Sequence, residues 1–265
     1  MNKQLLEKIN KEAMGDTNLV KCFLHFISYF SYFFIFYDVI KIIQYFEENR
    51  IYNKYIIADD YYIETGKKKY LNLAKKFRNI FLKKVGKRSI IANFVTVEKS
   101  LRSSYWPYEK RLKERILKGK AISSAEIKKY LLFKSSDIYM NSATFQNYTK
   151  ASKNTIKYYH YVRALAVLVD DMKDVQSDLE KDNPNCIIML LTRKGNYSKL
   201  KKQKGKLFSI INQDKVTVQL DELKTFFEER MKSLIIPKKF FFPVTYTKFY
   251  NENEYEKLKK IMNKY

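Results

Sequence analysis

Four aspartates, Asp170, Asp171, Asp174 and Asp178, fall within nine consecutive residues of a chain that is otherwise strongly basic. On an α-helix of about 3.6 residues per turn, positions 170, 174 and 178 follow one another along a stripe, and Asp171 sits beside them, three residues before Asp174. Carboxylates so close raise one another's pKa and oppose folding unless a cation sits among them. The run therefore asks for a divalent metal or a basic partner. All-oxygen donors, with no histidine or cysteine nearby, suit a hard ion that keeps several waters and bridges to phosphate oxygens, which describes Mg²⁺ better than Zn²⁺.

The element that must carry these groups is legible too. From Thr155 to Lys181 the pattern is helical, and Tyr158, Tyr159, Tyr161, Val162, Leu165, Ala166, Val167, Leu168 and Val169 cover every face before the aspartates begin. A helix apolar on all sides is central, so its carboxylates start where a buried helix reaches a cavity or a mouth; the alternative is a solvated face that pairs with some of the many lysines. Asp182-Asn183-Pro184 ends it. Upstream, Leu19 to Glu47 reads as one long aromatic helix. Ile56 to Val85 reads as a second, interrupted near Gly66 and closed by Gly86. Ser89 to Tyr105 runs to Pro107, beyond which Tyr108 to Leu117 continues past a kink or break, and Gly119 ends that segment. Ser123-Ser124-Ala125-Glu126 has the form of a capping box opening a helix that carries Lys134 and Ser135. After the aspartates come a short apolar helix or strand (Cys186 to Thr192), a basic loop (Tyr197 to Lys206), an amphipathic stretch (Val218 to Leu234) and a segment, Phe240 to Val244, that could be extended.

Six Gly and four Pro against 22 Tyr and 19 Phe leave too little turn punctuation for a many-stranded β fold, and no stretch looks like a linker. The expectation is an all-α, single-domain helical bundle over residues 1–265. Cys22 and Cys186 do not make a disulfide framework and point to a reducing cytoplasm. Cys22 to Tyr37 is apolar but shorter than the roughly 20 residues that span a bilayer, and it carries His25, so a core helix is expected rather than an integral membrane segment. Met1 to Lys11 carries charges of both signs and does not read as a secretory signal. A net charge of +24 raises nucleic acid as a partner. No zinc spacing, RNA-binding strand motif or basic recognition helix accompanies it, and direct nucleic-acid binding is not the expectation. His25 and His160 have no ligand spacing between them, and Glu98 with Arg102 reads as a local ion pair.

The string Leu165 to Leu179, LAVLVDDMKDVQSDL, resembles the second aspartate-rich motif of the class I isoprenoid synthases, the trans-prenyltransferases and terpene synthases. The pairing of Asp174-Val175 with Asp178-Leu179 is also similar to squalene and phytoene synthases. Ala58-Asp59-Asp60-Tyr61-Tyr62 and Lys134-Ser135-Ser136 resemble two further landmarks of prenyltransferases, in the right order, so the resemblance covers roughly residues 20 to 192. Apart from it, Asp59 and Asp60 read as helix-capping or loop-holding residues. Counting back from them places the first aspartate-rich motif at Phe36 to Lys41. There the chain has Tyr37, Asp38 and Lys41 where the family has three aspartates, and Val167 replaces a glutamine that often precedes the second motif.

The resemblance implies helices around a central cavity, and metal-assisted departure of diphosphate from an allylic prenyl chain, followed by prenyl transfer or cyclisation. In that reading Mg²⁺ is held by Asp170, Asp174 and Asp178, with Asp171 and Asp38 as further candidate ligands. Lys134, Lys173, Arg163 and Lys41 are candidates for the diphosphate, and Asp170, Asp174 and Lys134 carry the catalysis. Phe33, Phe34, Tyr37 and Tyr159 are available to line the pocket and face a carbocation. A dimer, with itself or with another isoprenoid synthase, is implied as well. Lys41 in place of an aspartate leaves an alternative open, a non-catalytic subunit that modulates an active partner.

Overall fold

The computed structural model describes residues 39–136, 138–140, 151–192, 197–202, 207–213 and 215–264, and among them every regular element is an α-helix. Ten are used below: α1 (Val39–Thr65), α2 (Lys68–Val85), α3 (Arg88–Leu117), α4 (Ser124–Lys134), α5 (Lys153–Lys181), α6 (Cys186–Thr192), α7 (Tyr197–Lys202), α8 (Leu207–Gln213), α9 (Val216–Lys232) and α10 (Lys238–Asn263). The chain divides into two compact units, one of residues 1–96 and 140–151, the other of residues 97–139 and 152–265, with α3 crossing the division.

In the first unit α1 and α2 form an antiparallel pair turned at Gly66, whose φ of 64° lies in the left-handed region that glycine enters without a Cβ clash. Leu73, Ala74, Phe77, Phe81 and Val85 form the buried stripe of α2. The rings of Tyr52, Phe81 and Phe94 meet at centroid separations of 5.1 to 6.2 Å. The helix end expected near Glu47 does not occur. No glycine or proline interrupts Glu47 to Ile56, and Glu47 spends its charge on Lys84 of α2. Asp59 and Asp60 consequently lie inside α1, Asp59 buried, instead of capping a helix or holding a loop.

The second unit is built on α5. Ser152 caps its first turn by accepting the Thr155 N–H at 3.1 Å, and Asp182 ends it in the left-handed conformation. Val162, Leu165, Val167, Leu168 and Val169 are buried where α4, α6, α9 and α10 pack against the helix, while the stripe through Arg163, Ala166 and Asp170 runs half-buried to exposed, so α5 is not enclosed on every side as its apolar run suggested. Each residue of the short α6 is buried. Three expectations change here. The chain stays helical through Pro107: Tyr105 and Tyr108 on either side pack edge-on against Phe133, offsetting the lost backbone hydrogen bond. Tyr197 to Lys202 is a helix, since burying Tyr197 and Leu200, three apart, selects the helical period over a loop. Phe240 to Val244 lies inside α10 and not in an extended segment.

α4 begins with the expected capping box. The Glu126 N–H donates to Ser123 Oγ at 3.2 Å while the Ser123 N–H donates back to Glu126 Oε2 at 2.9 Å, and Arg115 pairs with Glu126 from α3. Ser123→Ala is expected to cost about 1 kcal/mol. A thermal melt will then show a midpoint about 2–4 °C lower. The Glu98–Arg102 pair is present at 3.6 Å. No described helix is long and apolar enough to cross a membrane; Cys22 to Tyr37 lies outside the described residues.

Candidate functional site

Helical geometry sorts the four aspartates into different environments. Each residue advances about 100°, so Asp171 lies about 100° round from Asp170, while Asp178, seven residues on, returns to within about 20° of Asp171. Asp174 falls between. The structure follows that order: Asp170 and Asp174 are exposed, Asp178 is half-buried, and Asp171 retains 1% of its accessibility.

Lys134, at the end of α4, meets the buried carboxylate. Its Nζ lies 2.8 Å from Asp171 Oδ1, and Oδ2 accepts the backbone N–H of Cys186, the first residue of α6, at 2.7 Å. Burial opposes the charge on Lys134, but the attraction and hydrogen bond of Asp171 outweigh it and hold the ammonium above its ordinary pKa. Burial pulls the Asp171 carboxyl upward against Lys134 and the Cys186 N–H. The pair is charged, because one donor on each oxygen answers the carboxylate.

Asn185 ties the same face of α5 to the next helix. Its Nδ2 donates to the Asp171 carbonyl at 2.7 Å and to Asp178 Oδ2 at 2.9 Å, while its Oδ1 accepts the Ile187 N–H at 3.0 Å as an N-cap of α6. Asp178 is thereby partly engaged. Among the described residues Asp174 accepts no hydrogen bond comparable to these. Burial, and then the negative charges of Asp178 and Asp170, raise its carboxyl pKa, with Lys134 and Lys173 acting the other way.

The remaining candidates separate. Arg163 approaches Asp170 only at 3.9 Å, and Lys173 turns to Glu254 of α10 at 3.2 Å. Tyr159 is half-buried on α5. Lys41 stands in the first turn of α1, with its side chain outside the described residues; Phe33, Phe34, Tyr37 and Asp38 lie outside them altogether. Among the described residues no group of three or more His, Cys, Asp or Glu side chains is placed to hold a metal ion. Asp170 and Asp174, exposed one turn apart, still suit Mg²⁺, which is ordinarily held by one or two carboxylates and completed by phosphate oxygens and water.

Tyr105 and Glu109 of α3 join the site without having been singled out in the sequence. The Tyr105 hydroxyl donates to Glu109 Oε1 at 2.9 Å, and both side chains are within electrostatic reach of Lys134. Burial raises the Glu109 carboxyl, Tyr105 and Lys134 lower it, and Asp171 raises it. Their i, i+4 spacing signals contact with each other and nothing about Lys134. Asn185 was legible in principle, as an Asn directly before an apolar helix.

The turn that carries Lys134 is held by His160 of α5. His160 Nε2 donates to the Leu132 carbonyl at 2.8 Å, so Nδ1, 3.0 Å from the Tyr139 hydroxyl, accepts from it. Burial lowers the His160 pKa, against the Leu132 hydrogen bond, so the ring is neutral in the fold. Below the ordinary histidine pKa of about 6.5 the unfolded chain takes up a proton that the fold resists. This share of stability is present at neutral pH and is lost as the pH falls. Melts at pH 7 and pH 5 are expected to differ less for His160→Gln, which keeps a donor for Leu132, than for the parent.

No protein-family model matches the chain, and comparison with curated proteins and with solved structures likewise returns no match.

Proposed function

We propose that the chain is a Mg²⁺-dependent isoprenoid synthase acting on prenyl diphosphates. One observation carries this reading: Asp170 and Asp174 stand exposed one turn apart and mutually repelling, beside a lysine anchored by a buried aspartate. Repulsion of this kind opposes folding unless a bound cation relieves it.

In this reading Asp170 and Asp174 hold the metal, and Asp178 offers it the oxygen capacity that Asn185 leaves. Asp171 acts from beneath by fixing Lys134, whose ammonium, a third exposed, contacts the diphosphate. Held by Asp170 and Asp174, Mg²⁺ would supply positive charge to offset the charge of the departing diphosphate. Asn185 and the Cys186 N–H hold the carboxylate face in register. Tyr159 on α5 is a described candidate for the lining of the apolar chain's pocket, and Phe33, Phe34, Tyr37, Asp38 and Lys41 keep the roles that the resemblance implies.

The test is incubation with C5, C10, C15 and C20 prenyl diphosphates, with and without Mg²⁺, followed by mass spectrometry of extracted hydrocarbons and alcohols. Mg²⁺-dependent consumption of at least one substrate is expected. No consumption at any chain length contradicts catalysis by the isolated chain. Lys41, standing where the resembled family has an aspartate, favours one second reading, a non-catalytic subunit of another isoprenoid synthase. That reading predicts no product alone and altered product length when the partner synthase is added.

A further inference from the structure

Charge is distributed unevenly along the first unit. From Gly66 to Val97 the chain carries ten basic residues and no acidic one. The fold gives this imbalance a surface. The apolar stripe of α2 is buried against the unit's own core, so Lys68, Lys75 and Lys83, which follow one another at intervals of seven and eight residues, fall on the opposite, solvent side with Asn72 and Asn79. Lys67, Lys69, Lys87 and Arg88 extend the exposed cationic region at the two ends of the helix. Ile80, 41% exposed, lies at the flank of this face, four residues after Lys76 and three before Lys83, with Lys84 beyond it paired to Glu47 of α1.

We infer that this face of α2 is a docking surface for an anionic lipid bilayer. The ten cations are eight lysines and two arginines, which suits diffuse attraction to a charged sheet of headgroups better than bidentate reading of phosphates or bases. Nucleic-acid surfaces also offer exposed rings for base stacking. Here Phe77, Phe81 and Phe94 are buried in the unit's core, and Tyr70 is half-buried with the Lys69 ammonium 5.1 Å from its ring centre. Ile80 provides a short apolar anchor at the depth of the lysine stems, enough for reversible attachment at the interface and far too little for insertion.

The test is flotation of the full-length protein with phosphatidylcholine vesicles, with and without phosphatidylglycerol, at low and high salt. Binding is expected only to the anionic vesicles and is expected to fall as salt rises. Lys68→Glu/Lys75→Glu/Lys83→Glu is expected to weaken it by at least about tenfold, and Ile80→Ser by about threefold. The same reversals at the exposed Lys110, Lys118 and Lys120 of the other unit are expected to leave it within about twofold, with circular dichroism confirming that each variant is folded. Equal binding to neutral vesicles overturns the inference, as does an equal loss in the two triple variants. So does binding to single-stranded RNA or duplex DNA that the α2 reversals abolish and Ile80→Ser leaves unchanged, if the vesicles are not bound.

Discussion

Lys134→Ala is expected to destabilise the fold by about 3 kcal/mol, the largest effect of any single substitution at the site. The loss comes from the partner left behind. Asp171 is almost wholly buried, and without Lys134 its charge is answered, among the described residues, by the backbone N–H and the weak thiol donor of Cys186. Lys134 itself reaches solvent and, if its partner were removed, could turn outward; Asp171 cannot. At about 2–4 °C per kcal/mol for a domain of this size, the melting midpoint falls by about 6–12 °C. The deficit also depends on pH in a defined direction. In the variant the Asp171 carboxyl titrates above its unfolded value, since burial is no longer opposed by an ammonium. Its neutral form, compatible with the fold, is complete below the unfolded pKa and is lost as pH rises through the folded one. The gap between parent and variant should therefore narrow as pH falls from 7 towards 5. Adding Asp171→Asn to Lys134→Ala should recover part of the stability, because an amide oxygen can still accept the Cys186 N–H and no buried charge remains. If the double variant is less stable than Lys134→Ala, the ion pair is not the source of the effect.

The second large effect is on activity and spares the fold. Asp170→Ala and Asp174→Ala are each expected to reduce Mg²⁺-dependent turnover of a prenyl diphosphate by about 100-fold or more, since each removes a proposed direct metal ligand. Neither should lower the melting midpoint by more than about 2 °C. Asp170 is exposed, and the Arg163 guanidinium stands 3.9 Å from it, long for an ion pair. Asp174 contributes repulsion, because Asp178 and Asp170 already push its carboxyl towards the neutral form. Asp174→Asn should accordingly melt at the same temperature as the parent or up to about 2 °C higher while losing activity. Carboxylates retained for packing or solubility would not show stability and activity moving apart in this way.

These two substitutions also mark where the sequence could be read and where it could not. The apolar run from Tyr158 to Val169 predicts a central helix, and α5 does pack against four others, but Arg163 within that run marks the one stripe that stays half-buried to exposed and leads into Asp170. Ser123 with Glu126, and Gly66 and Gly86, are local signals whose geometry depends on a few adjacent residues, and they appear as read. The division of labour among the aspartates was only half legible. Their stripe was visible, but which member turns inward depends on where α4 and α6 pack, and that contact is set by residues 37 and 15 positions away in sequence. Glu109 and Tyr105 were invisible for the same reason. Pro107 and Phe240 to Val244 misled because local propensity was read without the packing that overrides it. Residues 197–265, silent in sequence, supply α9 and α10 against α5, and Glu254 takes Lys173.

The central claim is that the exposed carboxylates of α5 hold Mg²⁺ together with a prenyl diphosphate. Isothermal titration of a non-hydrolysable prenyl thiodiphosphate into the full-length protein addresses it without depending on turnover. Binding that requires Mg²⁺ and is weakened by about 100-fold or more in folded Asp170→Ala and Asp174→Ala is the predicted result. Binding of equal strength without Mg²⁺, or unchanged in both variants, would contradict it.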